Sequence, residues 1–180
     1  MTTEDNKDNS KDHNKEDNAA LVASFLDELW NQKNLDVIAK ATAADYVLRM
    51  PQGELPGQQA LRDVAANYFK SFSDIEVKIG RQISQDDQVV TQIVWNIRLD
   101  LMDQSSNQEI HREIPARGVS IDRLEDGLIV ESRNTIDEPY WIYNIQVLSR
   151  DPRFVKVLPA SRGCPPGCPD GQTCRGHQCV

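Results

Sequence analysis

No cysteine precedes Cys164; all four lie between Cys164 and Cys179 of the 180-residue chain. The body therefore cannot be held by disulfides, and its fold must rest on apolar burial. Aromatics make up only 6%, and there are three histidines, His13, His111 and His177. The glycines are scattered, with no cluster that would cradle a phosphate, so no nucleotide or flavin is expected and no cofactor is implied. Basic residues are outnumbered 20 to 28, giving a net charge of −8. That excess argues against nucleic acid, whose phosphates need clustered Lys and Arg, and against an anionic membrane surface. No apolar run approaches the ~20 residues of a membrane span. The N-terminus, MTTEDNKDNSKDHNKEDN, lacks the apolar stretch of a secretory signal. The expected location is cytoplasmic.

Residues 1–18 contain no aromatic and no branched aliphatic side chain, and read as a disordered acidic head. Ordered structure is expected from Ala19, with Asp17 or Asn18 capping a helix. Leu21, Val22, Phe25, Leu26, Leu29 and Trp30 recur on one helical face. A short helix over Leu35–Ala43 carries Val37, Ile38 and Ala41. Asp45–Pro51 reads as briefly extended, and Pro51, Gly53, Pro56 and Gly57 as a loop. A third helix follows, with Leu61, Val64, Ala65, Tyr68 and Phe72 on one side.

Strand periodicity takes over at Ile75, Val77 and Ile79. Val89–Leu101 forms a long strand with Thr91, Ile93, Trp95, Ile97, Leu99 and Leu101 on one face and Arg98 on the other. Glu109–Leu124 returns as a strand, and Glu125-Asp-Gly127 makes a tight turn. Leu128–Asp137 is the last strand, with Ile129, Glu131, Arg133, Thr135 and Asp137 sharing a face. The charged run Asp122–Asp126 reads as a solvated hairpin. Helices followed by antiparallel strands predict an α+β domain over residues 19–148, with a sheet wrapped over the N-terminal helices.

Phe25-Leu-Asp-Glu-Leu-Trp-Asn31, Asp45-Tyr-Val47, Pro56-Gly57, Phe72-Ser-Asp74, Asp87-Gln-Val-Val90 and Arg123-Leu-Glu-Asp-Gly-Leu-Ile-Val-Glu131 occur in that order, with Asp137 beyond. Together they resemble the SnoaL-like polyketide cyclases of the nuclear-transport-factor-2-like cone fold. The resemblance implies a curved antiparallel sheet closed by helices around a pocket for a small apolar ligand, often in a dimer or tetramer, with a homodimer expected here. It also implies that Asp137 is the acid/base of a cofactor-free cyclase or isomerase acting on an apolar carbonyl compound. Tyr46, Arg49, Trp95, Arg133 and Tyr140 are the expected pocket residues. Arg49, Asn96-Ile-Arg98 and Arg133 stand where active members of the family carry histidines and a tryptophan, which leaves Asp137 without those companions.

Residues 149–163 read as a linker, with a short strand at Phe154–Leu158. Residues 164–180 form a Cys-rich tail with almost no apolar side chains, so covalent or metallic bonds must organise it. Cys164, Cys168, Cys174 and Cys179 fit a disulfide knot in any of three pairings or a zinc site with His177 in reserve, the knot being favoured. They also fit a modified peptide carried by a catalytically inactive folded leader. Peptide-modifying enzymes would then be partners, and the tail would be exported after cleavage.

Overall fold

The computed structural model describes residues 5–51, 53–136, 152–157, 174–175 and 178–179. Helix α1 spans Asp5–Leu26. It starts well before the expected cap at Asp17 or Asn18 and corrects the reading of residues 5–18 as disordered. The apolar stripe nucleates the helix against the sheet. Extension backwards then adds one backbone hydrogen bond per residue fixed, which needs no apolar side chain. Val22, Phe25 and Leu26 of that stripe are buried.

The helix widens into a π-type turn, Asp27–Asn31, in which the Gln32 N–H donates to the Asp27 carbonyl at 3.1 Å. This extra width brings two successive residues, Leu29 and Trp30, into the core. Asn31 at its end grips a strand. Its Nδ2 donates to the Val77 carbonyl at 3.0 Å, and its Oδ1 accepts from the Val77 N–H at 2.7 Å. Among the described residues Val77 lies on an outer strand of the sheet, so the amide side chain satisfies backbone groups that no neighbouring strand there reaches. Asn31→Ala is expected to cost about 1–3 kcal/mol. Urea denaturation measures it, and an unchanged midpoint would contradict the clamp.

Helix α2 is Val37–Ala41, and strand β1 follows at once as Thr42–Met50. The segment expected as a loop contains strand β2, Gly53–Pro56, which pairs antiparallel with β1. Its proline is tolerated because it ends a strand at the sheet edge, where no partner requires its missing N–H. Gly57, at φ +84°, then turns the chain into helix α3, Gln58–Ser71.

Strands β3 (Asp74–Gln85), β4 (Gln88–Asp103), β5 (Gln108–Glu125) and β6 (Leu128–Ile136) form the rest of the α+β domain. Sheet order is β2-β1-β6-β5-β4-β3, and strand β7 (Phe154–Val157) adds to the end of β4 beyond β3. The fold matches the expected class, but the sheet is not wholly antiparallel: β1 and β6 run parallel. Asp126 and Gly127, at φ +50° and +76°, make the tight β5–β6 turn. The inner face of β4 is as the alternation predicts, with Thr91, Ile93, Trp95, Ile97, Leu99 and Leu101 buried.

β6 departs from strict alternation. Leu124 pairs with Ile129 and Arg123 with Glu131, so Val130 has no opposite number. This bulge bends the strand and reverses the side-chain parity beyond it. Ile129 and Ser132 are both buried, while Arg133 is exposed. In the tail, strands β8 (Cys174–Arg175) and β9 (Gln178–Cys179) pair with Cys174 opposite Cys179; Cys164 and Cys168 lie outside the described residues. Among the described residues no helix is long and apolar enough to cross a membrane.

Candidate active site

The inner face of β5 reads Ile114, Ala116, Gly118, Ser120, Asp122, Leu124. Of these, Ser120 and Asp122 face a space under the helices. This pocket holds about 630 Å³ not occupied by atoms, its mouth included, of which about 40 Å³ admits the centre of a water molecule. Leu29, Trp30, Leu61, Tyr68 and Trp95 form its apolar wall. The Trp30 and Trp95 rings meet edge to face with centroids 4.5 Å apart, and Tyr68 lies 5.9 Å from Trp30. These contacts fix the wall's shape.

The opposite wall is polar and comes from two neighbouring strands. Ser120 stands across from Asn134, and Asp122 across from Ser132. Asp122 is 2% exposed. Its Oδ2 accepts from the Ser120 hydroxyl at 2.9 Å and its Oδ1 from the Ser132 hydroxyl at 2.5 Å. Burial in the low-dielectric pocket pushes the Asp122 carboxyl up to about 6, against the lowering effect of the two serine hydrogen bonds. Tyr46, on the inner face of β1, is 1% exposed and hydrogen-bonds Ser132. Since Ser132 donates to Asp122, the tyrosine hydroxyl donates to Ser132, giving a relay from Tyr46 through Ser132 to Asp122. Burial raises the Tyr46 phenol, and the nearby Asp122 charge adds to this, so it stays neutral and remains a donor.

Of the residues expected in the pocket, Tyr46 and Trp95 line it. Arg49 does not: alternation along β1 turns Tyr46, Leu48 and Met50 inward and Arg49 outward. Arg133 is also outside, carried there by the Val130 bulge. Both arginines reach Glu131, at 3.0 Å from Arg49 Nε and 3.5 Å from Arg133, and Arg49 also pairs with Glu54. They border a shallow outer groove instead. Asp137 and Tyr140 lie outside the described residues.

Asp122, expected as part of a solvated turn, is the buried carboxylate of the site. Ser120, Ser132 and Asn134 were likewise not singled out by the sequence. A signal does exist in β5, where polar Ser120 and Asp122 take the inner positions and apolar Val119 and Ile121 the exposed ones. Such an inversion has a functional reading: polar groups kept inside at the expense of hydrophobic alternation.

A second cluster lies on the outer face, where ligand atoms of Asp100, Glu109 and His111 come within 4.8 Å of one another. Asp100 is already engaged there, by Arg98 Nε at 3.2 Å and His111 Nδ1 at 2.6 Å. A cation would have to compete with that arginine.

Residues 20–139 match the family model of the SnoaL-like polyketide cyclases. Among solved structures, a candidate SnoaL-like polyketide cyclase from Jannaschia sp. CCS1 is similar at 20% identity and TM-score 0.60, over 77% of this chain and 95% of that one. IdmH, a candidate polyketide cyclase from Streptomyces antibioticus, aligns at 18% identity and TM-score 0.60, over 72% and 98%. An epoxide hydrolase from M. tuberculosis aligns at 17% identity and TM-score 0.57, over 74% and 92%. Comparison with curated proteins gives no match. With a family model spanning two thirds of the chain, including strands β1 to β6 and every described residue of the pocket, the chain belongs to the SnoaL-like polyketide cyclase family.

Proposed function

We propose that the chain is a cofactor-free cyclase or isomerase for a small apolar carbonyl compound, with Asp122 as its acid/base. The observation that carries this is a buried carboxylate, raised toward neutrality, on the polar wall of an otherwise apolar pocket. The Asp122 carboxylate takes a proton from a carbon next to the carbonyl, and the C–H electrons move onto the carbonyl oxygen as an enolate. Where the compound carries a β,γ double bond the enolate is extended, and protonated Asp122 returns the proton to its γ carbon, which is isomerisation. Alternatively the enolate carbon attacks a second carbonyl of the same molecule, and Asp122 protonates the new alkoxide, which is cyclisation. The relay from Tyr46 holds Asp122 in place and balances its charge between the two steps.

The family resemblance favours Asp137 for the same role, so both carboxylates belong in the test. 1-Tetralone, a flat ketone with exchangeable protons at C2, is incubated with the protein in deuterium oxide and followed by proton NMR. Exchange above the buffer rate, lost in Asp122→Asn and kept in Asp137→Asn, is expected. The reverse pattern would transfer the role to Asp137, and no exchange above buffer would sink the proposal.

We also propose that two copies meet on the outer face of the sheet. Ile83, Val119 and Ile121 are 58%, 41% and 37% exposed, and Ile83, Val90 and Ile121 stand in one cross-strand row. Ile121→Glu is expected to convert a dimer to a monomer in analytical ultracentrifugation. A monomeric unsubstituted protein would contradict this.

A further inference from the structure

Asn134 lines the pocket, and its buried Oδ1 has no hydrogen-bond partner among the described residues. The serines beside it are committed elsewhere, since both Ser120 and Ser132 donate to Asp122. A buried amide oxygen left unmatched destabilises the folded chain.

We infer that Asn134 is a ligand-binding residue whose Oδ1 accepts a hydrogen bond from a hydroxyl or N–H on the ligand. It thereby selects compounds that carry such a donor at a fixed distance from the reacting carbon. The distance follows from the register. Asp122 faces Ser132, and Asn134 is two residues further along the same strand, so Asp122 and Asn134 are diagonal cross-strand neighbours. Such neighbours stand about 7–8 Å apart at the backbone, roughly the span of a fused two-ring skeleton with a substituent. The apolar wall of Trp30, Tyr68 and Trp95 covers the flat side of such a compound, while its polar edge runs along β5 and β6. The inference rests on the proton-transfer reading only for which carbon reacts; the donor contact stands separately.

Three ketones serve as probes: 1-tetralone, 6-hydroxy-1-tetralone and 6-methoxy-1-tetralone. Binding is read from quenching of tryptophan fluorescence and from saturation-transfer NMR. The hydroxyl compound is expected to bind at least about tenfold more tightly than the methoxy compound, the worth of one buried hydrogen bond. Asn134→Leu and Asn134→Val should each erase that preference while leaving 1-tetralone binding within about threefold, a change of well under one hydrogen bond. Both should also melt about 2–4 °C higher, because an unmatched polar group has been removed. A merely structural asparagine would show neither the selective loss nor the higher melting temperature.

A hydroxyl preference that survives in the two variants would overturn the inference. So would the absence of a preference in the unsubstituted protein, or failure of all three ketones to bind. The two proposals fail separately. If the preference depends on Asn134 but no exchange depends on Asp122, the acid/base assignment falls and the binding residue stands. If exchange depends on Asp122 but the preference ignores Asn134, the binding residue falls alone.

Discussion

Exchanging Asp122 for Asn is expected to make the protein more stable at neutral pH and to remove its proton-transfer activity. The carboxyl moves from an ordinary value of 3.8 to about 6 on folding because burial disfavours its charge. Below pH 3.8 it is protonated in both states and costs nothing. Between 3.8 and about 6 the folded chain keeps a proton that the unfolded chain has released, so stability falls as pH rises through this window. Above it the penalty is complete. The rise from 3.8 to about 6, at about 1.36 kcal/mol for each tenfold change in acidity, sets it at roughly 3 kcal/mol.

Asparagine has nearly the same shape and no charge to desolvate. Its amide keeps one acceptor oxygen, and the second serine hydroxyl can turn to accept from its nitrogen. Urea unfolding at pH 8 should therefore show Asp122→Asn the more stable, with the difference gone at pH 3.5. Ketone exchange should fall by about 10²–10⁴-fold, the usual contribution of a positioned acid/base. Equal stability at both pH values would mean that the carboxyl is solvated. Retained exchange would mean that another group moves the proton.

Gly118→Ala is expected to be the most damaging single methyl in the domain. A Cβ at this position would stand 2.4 Å from the Thr135 carbonyl oxygen and 3.1 Å from the Ile136 Cα, both backbone atoms of the neighbouring strand. No rotamer relieves such contacts, so β5 and β6 must move apart. Overpacking of this kind costs about 1–3 kcal/mol, and more when backbone has to shift. Thr135 and Ile136 directly follow Asn134, and Ser120 lies two residues from Gly118, so the displacement reaches the polar wall. A misplacement of about 1 Å there costs on the order of 10²-fold in rate.

Gly80→Ala is the control. Its Cβ would meet Gln92 Oε1 at 3.0 Å, the end of a flexible side chain that can swing away, although the Gln92 backbone carbonyl lies at 3.3 Å. Gly118→Ala should unfold at clearly lower urea and lose exchange, while Gly80→Ala should do little of either. Similar midpoints for the two would contradict the close approach of β5 and β6.

What the sequence made legible, and what it did not, follows from where burial controls the pattern. The helical stripe from Val22 to Trp30 and the alternation along β4 are dictated by a core that admits only apolar groups, and both are visible as periodicity. The pocket's polar wall breaks that rule, which is why Asp122 reads as surface. The arginines mislead for a different reason. Arg49 was expected in the pocket from the sequence resemblance, but strand parity points it outward. Arg133 is turned out by a bulge at Val130, which an alternating pattern cannot reveal, because one unpaired residue reverses every face after it. The parallel pairing of β1 with β6 was equally hidden. It joins elements far apart in the chain, and nothing local in Thr42–Met50 specifies which strand it meets.

The central claim is that Asp122 is the protonatable carboxylate of the pocket. Carbon-13 NMR of side-chain carboxyls across pH 3–8, with Asp122→Asn identifying the resonance, tests it most directly. A midpoint of about 6 that moves when 1-tetralone is added is the predicted result. A midpoint at the ordinary value of 3.8, unmoved by the ketone, would place Asp122 in solvent and contradict the account.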